Sequence, residues 1–317
     1  MRQIPCLLLF FLTVALAQDA RSPFVDAGRI VHEPVDETSG IVRSPTYPGV
    51  FWVHNDSGDE PRLFAIDATG KALLPDFLKD RFHVGTTGEA KEAGKKLWPG
   101  LKLLLAANID WEDIALADGK LYVADVGNNG NARRDLGVYV VNEPNPRARD
   151  VARPLTHLPV RFSDQTVYPA KEWHFDCEAV FVSDGKLYFL TKHRANRQHN
   201  RGAMGTKLYR LDTAFTDKEN VLTKIDTHER LAMPTAADLS PDGTKLAVLC
   251  VNALFVFEKP ASGDKWLSEG KVRAVPLPRK RTKQAEAVCW EDDATLLVAN
   301  EQRDLFRVKL AAITAYR

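Results

Sequence analysis

The sequence is short of cysteine, of net charge and of long apolar runs, and each shortage excludes a class of protein. It has four cysteines; Cys6 lies in an apolar leader, so the odd number left over cannot form a full disulfide framework. Lys and Arg total 43 against 42 Asp and Glu, without the basic excess of a surface that follows a phosphate backbone. Nucleic acid is therefore not expected as a partner. No transmembrane anchor is expected either, because no segment after the leader has about eighteen uninterrupted apolar residues.

Several catalytic motifs are also missing. The sequence contains no Gly-x-Ser-x-Gly, no His-Glu-x-x-His, no Walker loop and no Cys-x-x-Cys. These patterns mark nucleophile elbows, zinc-protease helices, phosphate loops and redox or metal pairs. A serine hydrolase of the common type and a zinc protease of the His-Glu type are therefore not expected, and neither is an organic cofactor.

The first seventeen residues have the features of an export signal. Arg2 gives a positive start, residues 7–16 are an apolar stretch, and Ala15-Leu-Ala17 fits the small-x-small cleavage rule. The apolar stretch is too short to be a stable membrane anchor. The pattern predicts a signal peptide over residues 1–17 and a secreted or periplasmic location. Residues 18–317 are predicted to form a single domain.

A short pattern returns five times along the chain. A polar or acidic lead-in enters a small apolar strand, a turn follows, and a second strand ends in polar residues. Repeats of short strands are typical of radial or stacked β architectures. The copies pair residues 37–42 with 51–56, 110–115 with 121–125, 176–181 with 187–192, 235–240 with 246–250, and 284–289 with 296–300.

Each repeat also has a third and a fourth candidate strand, rich in aromatic and β-branched residues. The fourth candidates are residues 81–84, 158–162, 222–226 and 271–275. The last repeat has only three, and residues 28–33 are predicted to supply its fourth strand and close the ring. The fold class is thus predicted as all-β, a single β-propeller of five four-stranded blades. Six blades would result if residues 86–108 hide a degenerate one, but this Lys- and Gly-rich segment lacks alternation and is interpreted as an insertion.

Two of the cysteines offer an alternative to simple burial. Cys250 and Cys289 fall in neighbouring repeats and could pair in an oxidising compartment. The favoured interpretation is that these two and Cys177 are small buried apolar residues.

Four phrases give the chain a family resemblance: Trp52-Val-His-Asn-Asp-Ser-Gly-Asp, Asp110-Trp-Glu-Asp-Ile-Ala, Asp125-Val-Gly-Asn-Asn-Gly-Asn and Leu239-Ser-Pro-Asp-Gly. With them the chain resembles secreted bacterial β-propellers of the WD40-like, NHL-like and TolB-like group. The resemblance spans most of the chain after the leader and implies a propeller fold. It implies no particular activity, because propellers include binding proteins, lactonases, phytases and glycosidases.

The inner strands of the repeats carry paired acidic positions. Residues i and i+2 of a strand face the same side, and aligning the repeats makes these pairs equivalent, with Thr235 and Ala237 breaking the pattern in the fourth copy. Carboxylates that converge on one axis need a counter-ion, and oxygen ligands favour calcium or another hard divalent cation over zinc. The alternative is that each carboxylate caps backbone N–H groups or pairs with a neighbouring Lys or Arg. The predicted metal ligands are Glu37, Asp110, Glu112, Asp176, Glu178 and Glu286.

Polar residues at the ends of the second strands form a second candidate set. If these ends share one rim, His54 with Asp56, or His193, could act as a general base. Arginine and lysine nearby could hold an anionic group through charge-assisted bonds. The predicted ligand-binding residues are Asn55, Asp125, Asn129, Lys192, Arg194 and Asn300.

Two functions remain open from the sequence. The first is a secreted binding protein or scaffold with an acidic, metal-binding channel, whose partner is a protein, a glycan or a small anionic ligand. The second is a metal-dependent hydrolase of lactones or phosphoesters, acting at the channel mouth. The first needs only the fold, whereas the second needs the inner carboxylates to converge within coordination distance.

Overall fold

In the computed structural model, residues 22–316 are described, and the predicted leader lies outside this range. Among the described residues, no helix is long and apolar enough to cross a membrane. The strands are β1 (Phe24–Arg29), β2 (Thr38–Arg43), β3 (Phe51–Asn55), β4 (Arg62–Ile66), β5 (Phe82–His83), β6 (Lys96–Leu97), β7 (Leu101–Leu103), β8 (Trp111–Ala117), β9 (Lys120–Asp125), β10 (Gly137–Asn142), β11 (Val151–Ala152), β12 (Pro154–Phe162), β13 (Trp173–Ser183), β14 (Lys186–Arg194), β15 (Met204–Arg210), β16 (Asn220–Ala232), β17 (Pro234–Leu239), β18 (Lys245–Cys250), β19 (Ala253–Glu258), β20 (Val272–Pro276), β21 (Ala285–Asp292), β22 (Thr295–Asn300), β23 (Asp304–Lys309) and β24 (Thr314–Ala315).

Helices are few and short. They are α1 (Thr87–Glu92), α2 (Trp266–Glu269) and α3 (Arg279–Thr282), with 3₁₀ turns at Asp76–Leu78, Ala195–Arg197 and Leu310–Ala312. In α1, the Thr86 hydroxyl accepts the Glu89 N–H while the Glu89 carboxylate accepts the Thr86 N–H. This reciprocal capping box explains why a helix begins there.

Two tight hairpins follow directly from the sequence. Asp118-Gly119 joins β8 to β9, and Asp184-Gly185 joins β13 to β14. All four residues have positive φ, between 49° and 71°, the conformation of a two-residue turn that matches strand twist. The third Asp-Gly pair, at position 242, lies in a longer connection, because its ladder ends at Leu239 opposite Leu246.

The strands of residues 22–316 that line and surround the ring group into five sets. The second and third sets form one eight-stranded sheet, because β12 and β16 pair in parallel where Val160 faces Asn220. From the inside outward the sets are β2-β3-β4-β7-β11, β8-β9-β10-β12, β13-β14-β15-β16, β17-β18-β19-β20-β24 and β21-β22-β23-β1.

The inner strands close into a ring. Strand β2 contacts β8, β8 contacts β13, β13 contacts β17, β17 contacts β21, and β21 contacts β2. Buried apolar side chains fill the wedge between each pair of neighbouring sets. The wedge between the first and second sets contains Trp52 and Trp111, for example. The core is therefore divided among the wedges, and the centre of the ring is left to polar residues. The all-β propeller prediction is confirmed by this arrangement.

The N-terminal strand closes the last set. Strand β1 pairs antiparallel with β23, with Phe24 opposite Val308 and Arg29 opposite Asp304. The predicted closing segment, residues 28–33, shares only Gly28 and Arg29 with this strand. The prediction was thus correct in topology and displaced along the chain. Pairing with β1 covers the edge that β23 would otherwise expose.

The fourth strand of the first set differs from the prediction. Residues 81–84 were expected there, but Phe82–His83 pairs in parallel with Lys96–Leu97 outside the set. The position is taken by β7, whose Leu101 and Lys102 face Leu63 and Arg62 of β4. The predicted insertion, residues 86–108, therefore contains α1, β6 and this blade strand. Alternation was a poor guide because β7 is only three residues long.

The three cysteines within residues 22–316 are buried and form no disulfide, which was the favoured interpretation of the sequence. Cys177, Cys250 and Cys289 are free and fully buried. Cys250 packs in the wedge between the third and fourth sets, whereas Cys289 packs between the fifth and the first. Cys177 packs between the second and third sets, so the three cysteines act as small apolar residues of three different wedges.

Candidate functional site

Every inner strand has one extra residue at the same place. In β2, Thr38 faces Asn55 and Gly40 faces His54, so Ser39 is left over as a bulge. The registers of the other four inner strands skip a residue in the same way. A bulge re-aims the side chain of the extra residue. The bulged residues are Ser39, Glu112 (sharing its bulge with Asp113), Glu178, Thr235 and Glu286.

This register corrects one detail of the repeat alignment. Thr235, and not Ala237, is the counterpart of Glu178, because Pro234 faces Cys250 and Ala236 faces Leu249. The fourth set thus contributes a hydroxyl to the ring. That hydroxyl donates to the carbonyl oxygen of Ala285 at 3.3 Å, and the Ser39 hydroxyl donates to the carbonyl oxygen of Glu112 at 2.6 Å.

Five carboxylates meet beside these bulges and form what we call the acidic cluster. Carboxylate oxygens of Asp56, Asp110 and Glu112 lie within 4.8 Å of one another, and so do those of Glu112, Asp176 and Glu178. Asp56 follows β3, Asp110 precedes β8, and the others lie in β8 and β13. Glu112 belongs to both groups and so joins them.

One half of the acidic cluster is neutralised by buried bases. The Arg194 guanidinium donates to Asp176 at 2.7 and 2.9 Å, and the Lys192 ammonium pairs with Glu178. Both bases are less than a tenth exposed. Burial lowers the pKa of Lys192, but Glu178, Glu286 and Asp176 outweigh it and the net shift is upward. Lys192 is therefore a fixed positive charge within the fold.

The other half has no basic partner. Glu112 is 6% exposed, and its carboxylate forms no hydrogen bond or ion pair with any residue in the range 22–316. Burial raises the pKa of Glu112 well above its usual range, and the Glu178 and Asp56 carboxylates raise it further. Burial, together with Asp56 and Asp176, raises the pKa of Asp110 to about 6. This half therefore has no ion-paired base among the described residues, although the charges of Arg133 and Lys192 lower the pKa values of Asp110 and Asp56 against the larger effect of burial.

A glycine allows the loop after β9 to approach these carboxylates. A Cβ built on Gly127 would lie 2.2 Å from Oε1 of Glu112 and 2.4 Å from Cγ of Asp110. The loop is braced by Arg133, which donates to the Gly127 carbonyl oxygen at 2.8 Å and pairs with Asp125 at 2.9 Å. The carboxylates of Glu112 and Asp110 are thus held against backbone with no side chain between.

Some of the predicted ligand-binding side chains already accept hydrogen bonds from backbone N–H groups. The Asn55 side chain accepts the Asp36 N–H at 3.2 Å, Asp125 accepts the Asp110 N–H at 3.0 Å, and Asn300 accepts the Asp304 N–H at 2.8 Å. These three side chains fix the connections at the ends of the inner strands. Asn129 accepts from Arg194 and so belongs to the edge of the acidic cluster, beside Lys192 and Arg194.

The two predicted catalytic histidines pack against other aromatic rings. His54 is fully buried edge-on to Trp111, and its Nδ1 lies 2.9 Å from the Asn55 carbonyl oxygen. His193 stacks on His174 with ring centroids 3.9 Å apart. Burial lowers the pKa of His54 to about 4; burial, with His174 and Lys207, lowers that of His193 to about 3. Neither histidine contributes to the carboxylate groups described above, whereas Asp56, the third predicted catalytic residue, does.

Two predicted metal ligands lie outside the acidic cluster. Glu37 is exposed. Glu286 is the bulged residue of β21, and its pKa is raised by burial, opposed by Lys192 and reinforced by Asp56. Glu301 follows Asn300 as Asp56 follows Asn55. Burial, with Glu286 and Asp56, raises the pKa of Glu301 to about 7.

Asp113 was also missed by the sequence analysis. It is fully buried, and its carboxylate accepts the N–H groups of Val180 at 2.9 Å and Ala237 at 3.1 Å. It therefore ties β8 to β13 and β17. The neighbouring Asp110 and Glu112 gave a signal through the repeat, whereas the position aligned with Asp113 is acidic in only one other copy, at Asp238.

The ring of sheets and the acidic cluster define the class of this protein as an all-β propeller with carboxylates gathered among its inner strands. No protein-family model matches the chain, and no curated protein matches it. Solved structures similar to it include the hydrazine synthase of Kuenenia stuttgartiensis, at 10% identity and a TM-score of 0.45, with 87% of this chain and 96% of the other covered.

Two further structures cover similar lengths. A chain of the mitotic checkpoint complex shares 12% identity at a TM-score of 0.40, covering 97% of this chain and 99% of the other. A putative oxidoreductase (glucose dehydrogenase) from Thermus thermophilus shares 10% identity at a TM-score of 0.46, covering 90% of this chain and 99% of the other. Likeness at this level carries no argument about function.

Proposed function

We propose that this protein is a propeller-fold binding protein that holds one divalent cation at Asp56, Asp110 and Glu112. The observation that carries the proposal is the Glu112 carboxylate, which is 6% exposed and has no hydrogen-bonding partner among the described residues. A buried carboxylate in this state is costly unless it is protonated or neutralised by a cation. Asp56 and Asp110 bring two more carboxylates within 4.8 Å of it.

The cation is assigned to Asp56, Asp110 and Glu112 because the rest of the acidic cluster already has basic partners. Asp176 and Glu178 already pair with Arg194 and Lys192. A cation placed between them would have to displace two buried bases. At Asp56 and Asp110 no such displacement is needed, and both residues are only partly buried, which leaves coordination positions open to water or to a ligand.

Calcium is the cation that this donor set favours. The three ligands are carboxylates, and calcium takes six to eight oxygen ligands in flexible geometry. Zinc prefers nitrogen and sulfur donors, and neither His54 nor a cysteine belongs to the group. An anionic partner could complete the coordination sphere from the open side, so a small anionic ligand is the partner class we favour over a protein or a glycan.

The hydrolase alternative has less support. It needs a base beside the cation, and the candidates His54 and His193 contact Trp111 and His174 instead. We therefore favour binding. A secreted or periplasmic location forms part of the proposal on the strength of the leader sequence alone.

The test is thermal unfolding of the protein after EDTA treatment, with calcium, magnesium, manganese or zinc added back. Ligand at about 100 times its dissociation constant stabilises the folded state by about 2.7 kcal/mol. We expect calcium to raise the unfolding midpoint in wild type and not in Glu112→Gln. Glu37→Gln removes an exposed carboxylate outside the acidic cluster and should respond like wild type. No rise with any cation, or an equal rise in Glu112→Gln, would refute the proposal.

A further inference from the structure

One cavity shares no lining residue with the acidic cluster and has the opposite charge. It has a volume of about 370 Å³ and is lined by Lys71, Lys79, His83, Lys95 and Arg147, with no acidic residue among the described side chains that line it. Its remaining lining is mostly apolar and includes Leu73, Phe82 and Val84. We call it the basic cavity.

The basic residues come from separate parts of the fold. Lys71 follows β4, Lys79 ends a 3₁₀ turn, His83 lies in β5, Lys95 precedes β6, and Arg147 lies between β10 and β11. A run of lysines along one segment is usually a solvated face. Here, in contrast, distant segments of the chain bring their cations to one concave site.

Backbone contacts hold these segments together. The Lys95 ammonium donates to the Lys79 carbonyl oxygen at 2.6 Å. The pairing of β5 with β6 fixes His83 opposite Leu97, and the Asp76 N–H donates to the Arg147 carbonyl oxygen at 3.4 Å. The insertion predicted from the sequence thus forms one wall of the basic cavity through Lys95.

Most of the positive charge is uncommitted. Lys79 pairs with Asp76 at 2.5 Å. Within the described part of the chain, Lys71, Lys95 and Arg147 form no ion pair. Two carboxylates lie near these cations, because Arg147 also acts on Asp76 and Lys71 acts on Asp67. Cations that outnumber the carboxylates near them attract an anion with several acceptor oxygens. A cavity of this volume also falls in the range of small-molecule sites.

We propose that the basic cavity binds a phosphate group carried on an apolar body. The phosphate would be held by Lys71, Lys95 and Arg147, and the apolar body would contact Leu73 and Phe82. The proposal does not depend on the cation site, because none of the residues that line the basic cavity belongs to the acidic cluster.

Phenyl phosphate is the probe, titrated by calorimetry against phenol and against chloride at equal ionic strength. We expect saturable binding of phenyl phosphate alone. Lys95→Gln/Arg147→Gln should weaken it about tenfold or more, since it removes two of the three cations proposed to hold the phosphate. Lys120→Gln/Lys271→Gln removes the same formal charge from two exposed lysines elsewhere and should leave affinity unchanged. Circular dichroism and the unfolding midpoint check that both variants fold.

A second experiment distinguishes two sources of the phosphate, a lipid headgroup and a soluble ligand. Binding to phosphatidylglycerol vesicles and not to phosphatidylcholine vesicles, lost in Lys95→Gln/Arg147→Gln, would assign the phosphate to a lipid headgroup and support the proposal. Competition of inorganic phosphate with phenyl phosphate, without vesicle binding, would assign it to a soluble ligand and also support it. Absence of both phenyl phosphate and vesicle binding, or equal weakening in the two double variants, would overturn it.

Discussion

Gly127 and Glu112 lie so close together that a residue with a Cβ does not fit at position 127 without moving the carboxylate, since that Cβ would lie 2.2 Å from Oε1. The atom it would meet is the end of a flexible side chain. Gly127→Ala should therefore leave the fold intact and displace the proposed cation ligands. We expect calcium affinity to fall about 10–100-fold, as when a residue that orients metal ligands is changed.

Calcium titration followed by the unfolding midpoint measures this effect. Gly130→Ala is the matched control in the same loop, because its nearest neighbour would be Cε1 of His199 at 3.8 Å. Equal calcium responses in the two variants would contradict the placement of the cation against Gly127.

The acidic cluster and the nearby Glu301 predict an unusual pH dependence for the cation-free protein. The pKa of Asp110 is raised to about 6 and that of Glu301 to about 7, against about 4 for carboxyls in an unfolded chain. Between these values the folded state binds more protons than the unfolded state, so the free energy of unfolding falls as pH rises through this window. Stability from these groups is greatest below about pH 4 and is lost as they ionise.

Asp110→Asn removes one of the repelling charges. In EDTA at neutral pH it should raise the unfolding midpoint and flatten its decline with pH, while reducing the response to calcium. Glu37→Gln, whose carboxylate is exposed, should reproduce the wild-type profile. A lower midpoint for Asp110→Asn in EDTA would show that the Asp110 carboxylate is stabilised in a way that this account omits.

Removal of Lys192 should be among the most damaging single changes. Lys192→Met leaves the buried Glu178 with only the 3.5 Å contact to Arg194, and breaking a buried pair in this way costs about 3–5 kcal/mol. The double variant Lys192→Met/Glu178→Gln removes the unpaired charge and should recover part of the loss. Denaturant titration gives the free energies.

The matched control is the exposed pair of Lys259 with Asp184, at 2.9 Å. Lys259→Met should cost about 0–1 kcal/mol, as exposed pairs do. If Lys192→Met costs as little, the pair with Glu178 contributes nothing to stability, and Lys192 would be free to serve a ligand.

The closing strand offers a comparison of two neighbouring residues on opposite faces. Phe24 is fully buried in the wedge between the fourth and fifth sets, whereas Val25 is 50% exposed. Phe24→Ala should lower the free energy of unfolding by about 3–5 kcal/mol, and Val25→Ala should change it by less than about 0.5 kcal/mol. Equal effects would mean that β1 does not close the ring in solution.

The repeat in the sequence was sufficient to locate the inner strands and most of the acidic cluster. Asp110, Glu112, Asp176 and Glu178 were predicted as neighbours because a spacing of two keeps side chains on one face, and the structure brings all four together. Asp56 was predicted as a catalytic partner of His54. The alternation of β3 instead directs His54 into the wedge against Trp111, and Asp56, one residue beyond the strand, joins the carboxylates.

The parts that could not be predicted depend on contacts between repeats. A bulge does not visibly interrupt the apolar pattern. The repeat alignment therefore matches Thr235 with Asp176, whereas the strand register matches it with Glu178. The bonds of Asp113 to Val180 and Ala237 join three sets, and no single repeat contains the information. The basic cavity likewise draws on segments as distant as Lys71 and Arg147.

The five bulges give this fold a set of positions that can be exchanged independently of its core. Each bulged residue has no partner across the ladder at this shared position, so its side chain takes no part in the strand pairing there. Three of these positions are glutamates and two carry hydroxyls. Changes at these five codons therefore alter the chemistry of the ring, together with Asp56, Asp110 and Asp176 beside them, while the apolar packing of the wedges is left in place. A library restricted to these codons could be screened for new ligands on an unchanged scaffold.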